Sequence, residues 1–385
     1  MKMTNLAWIL VGVFLTLCGI RIAQFFEKGD SRLPSGHPLA GGPAPAAPES
    51  APVAAPEAVP APTGFHVANW NVENLYDTED DPDNRYDDEF LPNNPTTRWT
   101  RARYETKLAN LAQVINGMNQ GQGPDILGLQ EVENEEVVRD LVDRLKGKSY
   151  GIVHLDSPDP RGIDTAMVFN RGLFSLQEFH AYPVSLRWRR TTRDILHSVL
   201  EDRAGNRIHV FVNHWPSRGG GIEESEPNRF EAARTLSKAV ARVFRRDPAA
   251  RIVVLGDFND EPSSRSIRVV LDVEPYPSRA GYVATNLYNL AARKSAKGWG
   301  SFFHSFRGDI EWRMYDQIMA SGALLNDSRV EQDGDLFRID KPDFMVADEG
   351  RDRGAPVPTF ENQEFYHGGY SDHFPVGARF TRRAP

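Results

Sequence analysis

Arg251-Ile252-Val253-Val254-Leu255-Gly256-Asp257-Phe258-Asn259-Asp260 is the stretch that decides the fold. Its first half is an apolar, β-branched run of the kind that forms a strand buried on both faces. Gly256 ends the run, and an acid, an amide and a second acid follow at once. A strand built this way roots in a core and lifts polar side chains to its tip. The same design recurs along the chain. Ala68–Leu75 carries Asn69, Asn71, Glu73 and Asn74; Leu129–Glu133 carries Gln130 and Glu131; Val212–Arg218 carries Asn213 and His214. Met314–Ile318 carries Asp316, and Gly369–Pro375 carries Asp372 and His373. Apolar residues flank each polar cluster, which predicts a shared site along one edge of packed strands.

Between these segments the periodicity alternates. Strands are predicted over Phe65–Val72, Asp125–Gln130, Thr165–Phe169, Ile195–Leu200, Ile208–Asn213, Arg251–Leu255, Trp312–Ala320 and Val376–Phe380. Helical spacing appears at Tyr104, Leu108, Leu111 and Ile115, over Val132–Leu145, and at Phe230, Ala233, Leu236, Val240 and Val243. Strands and helices intermix, but long loops interrupt any regular βαβ rhythm. The pattern fits an α/β sandwich with two sheets and outer helices better than a Rossmann fold or a barrel.

Of the 385 residues, 40% are hydrophobic and 25% charged, which excludes a multi-span membrane protein, a collagen and a wholly disordered chain. The net charge of −8 argues against coating nucleic acid by charge alone. A single cysteine, Cys18, rules out an intramolecular disulfide framework and a Cys-rich zinc site. Any metal here is held by carboxylates, amides or histidines.

Three segments are predicted: 1–27 an N-terminal membrane anchor or signal segment, 28–63 a Pro/Ala-rich disordered linker, and 64–385 the folded domain. Leu6–Phe26 is mostly apolar, carries no charge but Arg21, and is long enough to cross a bilayer. A cleaved signal peptide is the rival, but no clear small-x-small site follows Ile20. Pro38–Thr63 holds 8 Pro and 9 Ala, which cannot bury a core. Fully extended it would reach roughly 80 Å, at about 3.1 Å per residue. These features predict a domain held outside the cytoplasm on a membrane tether, or one secreted after cleavage.

Each strand-tip residue also has an ordinary reading. Glu131 would open a helix, Asp257 and Asn259 would shape a turn, and His214 would be a bonded loop histidine. Asp316 would be a buried structural acid, Asn71 a bulge device, and Asp372-His373 a surface pair. Their joint occurrence points to chemistry instead. The set, in this order, resembles the endonuclease/exonuclease/phosphatase superfamily over residues 65 to 381. Gly256-Asp257-Phe258-Asn259, Ser371-Asp372-His373 and Gln130-Glu131 carry that likeness most specifically. The resemblance implies a four-layer α/β sandwich, with two packed mixed β-sheets flanked by helices. It further implies Mg²⁺, with Mn²⁺ or Ca²⁺ as alternatives, held principally by Glu131 and supported by Asn71 and Asp372. Asp257 and Asn259 would orient water and phosphate, and His373 would act as general base oriented by Asp316. His214 would neutralise a phosphoryl oxygen or protonate the leaving group. The opening Asn71–Asp77 with His214–Arg218 is most similar to exported bacterial, endonuclease-like members.

The chemistry is coherent. A phosphodiester is anionic and repels hydroxide, so hydrolysis needs a cation, an oriented water and a proton source. Arg161, Arg193 and Arg218 are the arginines expected nearest the phosphate. Arg187, Arg189, Arg190 and Arg193 around Trp188 form a candidate phosphate-gripping arm. Glu73 to Glu89 holds nine acids and one base and reads as a solvated loop, since its order does not match an EF-hand. The leading reading is a monomeric, Mg²⁺-dependent phosphodiester hydrolase with nucleic acid as substrate. A phosphodiesterase or phosphatase acting on phospholipid head groups, sphingomyelin included, is the alternative. A non-catalytic binding module predicts an eroded ligand set, which this sequence does not show.

Overall fold

The computed structural model of the protein describes residues 64–382, apart from 83, 85, 188–189, 279, 307–308, 330–335 and 362–364. The anchor and linker expected over 1–27 and 28–63, and the arm residues Trp188 and Arg189, lie outside the described residues. Among the described residues, no helix is long and apolar enough to cross a membrane.

Two seven-stranded mixed sheets pack face to face. The first contains β1 (Gly64–Leu75), β2 (Ile126–Val132), β3 (Tyr150–His154) and β4 (Asp164–Asn170), with three late strands described below. The second contains β5 (Phe174–Tyr182), β6 (Ile195–Asp202), β7 (Arg207–His214), β8 (Arg251–Asp257), β9 (Val273–Pro275), β10 (Leu287–Asn289) and β13 (Asp316–Ser321). A hairpin of β11 (Phe302–Phe306) and β12 (Asp309–Arg313) precedes β13. The late strands of the first sheet are β14 (Ser328–Arg329), β15 (Phe337–Ile339) and β18 (Val376–Arg382); β16 (Phe360–Glu361) and β17 (Phe365–Tyr366) form a small ribbon. The order is β14-β18-β1-β2-β4-β3 in one sheet and β5-β6-β7-β8-β13-β10-β9 in the other, β15 also pairing with β18. The helices are α1 (Arg101–Gly121), α2 (Glu135–Val142), α3 (Ile222–Arg246), α4 (Ala292–Ser295) and α5 (Gly322–Asp327).

Three cores make four layers. Val67, Ile126, Met167, Val212, Leu255 and Ile318 meet between the sheets. Trp70, Leu129 and Val168 pack outward with Leu108 and Leu111 of α1 and Val137 and Leu141 of α2. Phe211, Val254 and Met319 pack outward with Leu236 and Val240 of α3. The four-layer sandwich expected from the sequence is the observed fold.

Alternation along the strands places the chemistry. Side chains two apart share a face. Val67 faces the inter-sheet core, so Asn69 and Asn71 do too; Ile126 brings Gly128 and Gln130, Val212 brings His214, Leu255 brings Asp257, and Ile318 brings Asp316. The sheets approach closely there: a Cβ on Gly128 would stand 2.0 Å from Leu255 Cδ1.

Two boundaries differ from the periodicity. The helix expected over Val132–Leu145 starts at Glu135, because Val132 still pairs within the sheet and Asn134 caps the helix by accepting from Val137 N–H at 3.0 Å. The strand expected over Trp312–Ala320 breaks between β12 and β13. There Met314 N–H donates to the Glu261 carboxylate, and Tyr315 C=O accepts from Phe258 N–H.

Candidate active site

Register brings the polar tips side by side. His214 on β7 stands opposite Asp257 on β8, and Asp257 stands opposite Asp316 on β13. Across the cleft, Asn71 on β1 stands opposite Gln130 on β2. Glu131 and Asn259 both take left-handed backbone, with φ of 63° and 49°. That conformation is costly for a non-glycine residue and collects at sites that need a side chain re-aimed. In Glu131 it turns the carboxylate toward the cleft, where Asn74 N–H donates to Oε2 at 3.1 Å.

His373 and Asp316 form a dyad. Nδ1 of His373 lies 2.6 Å from Asp316 Oδ2. The same carboxylate accepts from Ser301 Oγ at 2.7 Å and from Asn69 Nδ2 at 3.2 Å, so Asp316 meets donors alone. The histidine is fixed further by Trp70 Nε1 donating to its carbonyl at 2.9 Å and by Ser371 Oγ accepting from its N–H at 3.0 Å. Phe302 covers one face of the ring, 4.7 Å between centroids. Burial alone would lower the imidazole, but Asp316 and Asp372 outweigh it and hold His373 well above its ordinary value. Nε2 points into the cleft, 4.0 Å from both Asp257 Oδ2 and Asp372 Oδ1.

His214 is a different imidazole. Its Nε2 lies 3.8 Å from Glu131 Oε1 and 3.7 Å from Asp257 Oδ2, and its buried Nδ1 has no hydrogen-bond partner. Burial first, then Arg193, Arg161 and His373, hold it well below the ordinary value. In the free site it is therefore neutral, suited to donating a hydrogen bond.

The carboxylates are tuned apart. Burial would raise Glu131, but Arg161, His373 and Arg193 more than offset it, and the group is held below the usual range. Asp257 is raised to about 6, chiefly by burial, against the pull of His373. Asn259 braces Asp257 by donating its N–H to Oδ1 at 2.8 Å, and its amide donates to Trp215 C=O at 3.0 Å. Asn71 donates Nδ2 to Asp257 Oδ2 at 3.1 Å while its Oδ1 accepts from Glu73 N–H at 3.0 Å. Asp372 is the exposed member, its side chain 44% accessible. Glu131, Asp257 and Asp372 thus offer oxygen donors around one cleft. A hard divalent cation that needs one or two carboxylates and keeps its waters fits that donor set.

The three arginines separate. Arg161 reaches the site, its Nη2 3.5 Å from Glu131 Oε1. Arg193, expected beside the phosphate, is buried, with Nη1 donating to Asp159 Oδ2 and Nη2 to Trp215 C=O, each at 2.9 Å. Arg218 spends Nε on Asn259 C=O at 2.9 Å and Nη2 on Asp260 Oδ1 at 2.8 Å, and lies over the Tyr315 ring. Both brace the loops under the site rather than facing its mouth.

Sequence reading passed over several supports. Lys107 of α1 is buried, 4.0 Å from Glu73 Oε2, and donates to Tyr370 C=O at 2.9 Å. Glu73 accepts from Thr359 N–H at 2.6 Å and Phe360 N–H at 3.0 Å. Together they anchor the segment that delivers Asp372. A lysine on the helix's apolar stripe beside Leu108 and Leu111 was the signal.

The family model described as "Endonuclease/Exonuclease/phosphatase family" matches residues 66–382. No curated protein sequence matches at a significant level. Among solved structures, an endonuclease/exonuclease/phosphatase family protein from Bacteroides thetaiotaomicron is 15% identical, covering 84% of this chain and 100% of that one, with a TM-score of 0.50. The human nocturnin catalytic domain is 17% identical, covering 84% of this chain and 96% of that one, with a TM-score of 0.49. A mannosyl-6-phosphatase from Bacteroides thetaiotaomicron is 16% identical, covering 81% and 98%, with a TM-score of 0.46.

Proposed function

The chain belongs to the endonuclease/exonuclease/phosphatase family, and on that premise we propose that it is a divalent-metal-dependent phosphodiester hydrolase acting on nucleic acid. The observation that carries this reading is the convergence of Glu131, His214, Asp257 and the His373–Asp316 dyad in one cleft between the sheets.

Glu131, supported by Asn71 and Asp372, would hold the ion. Bound there, a divalent cation supplies the positive charge that draws a phosphate oxygen and stabilises the charge building on it. His373 does the proton work. With Nδ1 locked on Asp316, Nε2 faces the cleft; once it has shed the proton that Asp316 and Asp372 favour there in the free site, it takes one from the attacking water, and the carboxylate steadies the imidazolium that forms again. Asp257, braced by Asn71 and Asn259, orients that water. His214 donates to a phosphoryl oxygen, and Arg161 offers its guanidinium beside Glu131.

Nucleic acid is favoured by the surface next to Arg161. A groove of about 700 Å³ runs from it past Tyr86, Arg190, Thr191, Ser217 and Asn228. It offers cations, hydroxyls, an amide and an aromatic ring to a chain of phosphates and bases. The domain works outside the cytoplasm, tethered through residues 1–27 and the Pro/Ala spacer. The test incubates the protein with plasmid DNA, RNA and sphingomyelin vesicles, with Mg²⁺ or EDTA and a His373→Ala control. Nucleic-acid cleavage lost with EDTA and in the variant is expected. Turnover of lipid alone would replace the substrate assignment.

A further inference from the structure

We propose that His154, Asp156 and Asp164 hold a transition-metal ion of the zinc class at the root of the β3–β4 loop, distinct from any ion at Glu131. The three side chains offer ligand atoms that all lie within 4.8 Å of one another. The His154 and Asp164 side chains are each 4% exposed, while that of Asp156 is 90% exposed. His154 Nε2 lies 3.2 Å from Asp164 Oδ2, yet among the described residues this buried nitrogen makes no hydrogen bond. An ordinary His–Asp pair would align N–H on the oxygen. Two ligands of one ion instead present lone pairs to a common point. With bonds of about 2.1 Å they stand roughly 3.0–3.4 Å apart, which is the separation seen.

The surroundings support a cation. Asp164 Oδ1 is already satisfied by Ser157 N–H at 2.8 Å, leaving Oδ2 for the ion. The Ser157 hydroxyl is buried with no hydrogen-bond partner among the described residues. Asp156 and Asp164 line a cavity shared with Asp77, Glu79, Asp81 and Glu133, and among the described residues no lysine or arginine lines it. Such a concentration of carboxyl oxygens suits a cation. The imidazole then selects the metal: Mg²⁺ and Ca²⁺ take oxygen donors, whereas zinc and its neighbours take imidazole with carboxylate.

The position gives the ion a task. His154 ends β3, Asp164 opens β4, and Asp156 lies near the start of the loop between them. One ion would staple both ends of the loop that carries Asp159 and Arg161. Asp164 pairs with Val132, next to Glu131, so the staple also borders the catalytic cleft.

Metal counting tests this. The purified protein is stripped with chelator, given Zn²⁺ in millimolar Mg²⁺ and dialysed. Bound zinc is counted by mass spectrometry, and its affinity is read against a chelating dye. Wild type and Glu131→Gln are expected to retain one zinc per chain. His154→Asn and Asp156→Asn are expected to bind it at least ~10-fold more weakly. Asp156 is exposed, so its substitution leaves the fold intact if His154→Asn does not. Absence of bound zinc in wild type, wild-type affinity in folded Asp156→Asn, or loss of zinc in Glu131→Gln alone would overturn the proposal.

Discussion

Replacing Asp316 by Asn should separate catalysis from stability. Asp316 is fully buried, and its oxygens receive His373 Nδ1 at 2.6 Å, Ser301 Oγ at 2.7 Å and Asn69 Nδ2 at 3.2 Å. Asparagine keeps one acceptor oxygen and turns an NH₂ toward a site that holds donors. If the NH₂ faces His373, the ring must place its own proton on Nε2, and the lone pair that should accept a proton in the cleft is lost. Loss of tautomer control in a His–Asp dyad lowers kcat by about 10³–10⁴, or about 4–5 kcal/mol of barrier. The folded state loses less, about 1–3 kcal/mol for mismatched buried donors, because a buried negative charge is removed at the same time. The assay is kcat for bis-p-nitrophenyl phosphate with Mg²⁺, alongside urea unfolding. Activity within tenfold of wild type, in a variant that folds, would refute the dyad's role.

The other predictions rest on separate contacts. Arg193→Met takes from buried Asp159 its closest ion-pair partner, so urea unfolding should show a loss of about 3 kcal/mol. Arg161→Met, at the 36% exposed arginine beside Glu131, should instead raise KM and cost less than about 1 kcal/mol of stability. Burial lowers His66 from 6.5 to about 4 in the fold. The unfolded chain therefore takes up the proton first as pH falls, and stability present above pH 6.5 drains between 6.5 and 4. Between pH 7.5 and 5 the loss at this site is about 2 kcal/mol, and His66→Asn should remove that part of the pH dependence in matched urea titrations. Gly128→Ala forces a methyl against Leu255 between the sheets and should cost about 1–3 kcal/mol in the same assay.

Much of this site was legible because strand periodicity is simple. A buried run such as Arg251–Leu255 fixes which face Asp257 occupies, and the same arithmetic places His214, Asp316 and Asn71. Exposed edge strands were harder to see: β5 shows no clean burial alternation, so nothing marked it as a strand. Which of the arginines reaches the site was not legible. The β3–β4 loop carries Arg161 to Glu131 and Asp159 to Arg193, and that is a tertiary fact. Lys107 stands out on the apolar stripe of α1, but its pairing with Glu73 is made only by the fold.

The central claim is that the cleft between the sheets hydrolyses phosphoesters with a divalent ion held at Glu131. The most direct measurement is the initial rate on bis-p-nitrophenyl phosphate against Mg²⁺ concentration, for wild type and Glu131→Gln. The account predicts saturable activation by Mg²⁺, loss of activity with EDTA, and a Glu131→Gln rate at least ~10²-fold lower at equal Mg²⁺. A rate that ignores EDTA and is the same in both proteins would contradict it.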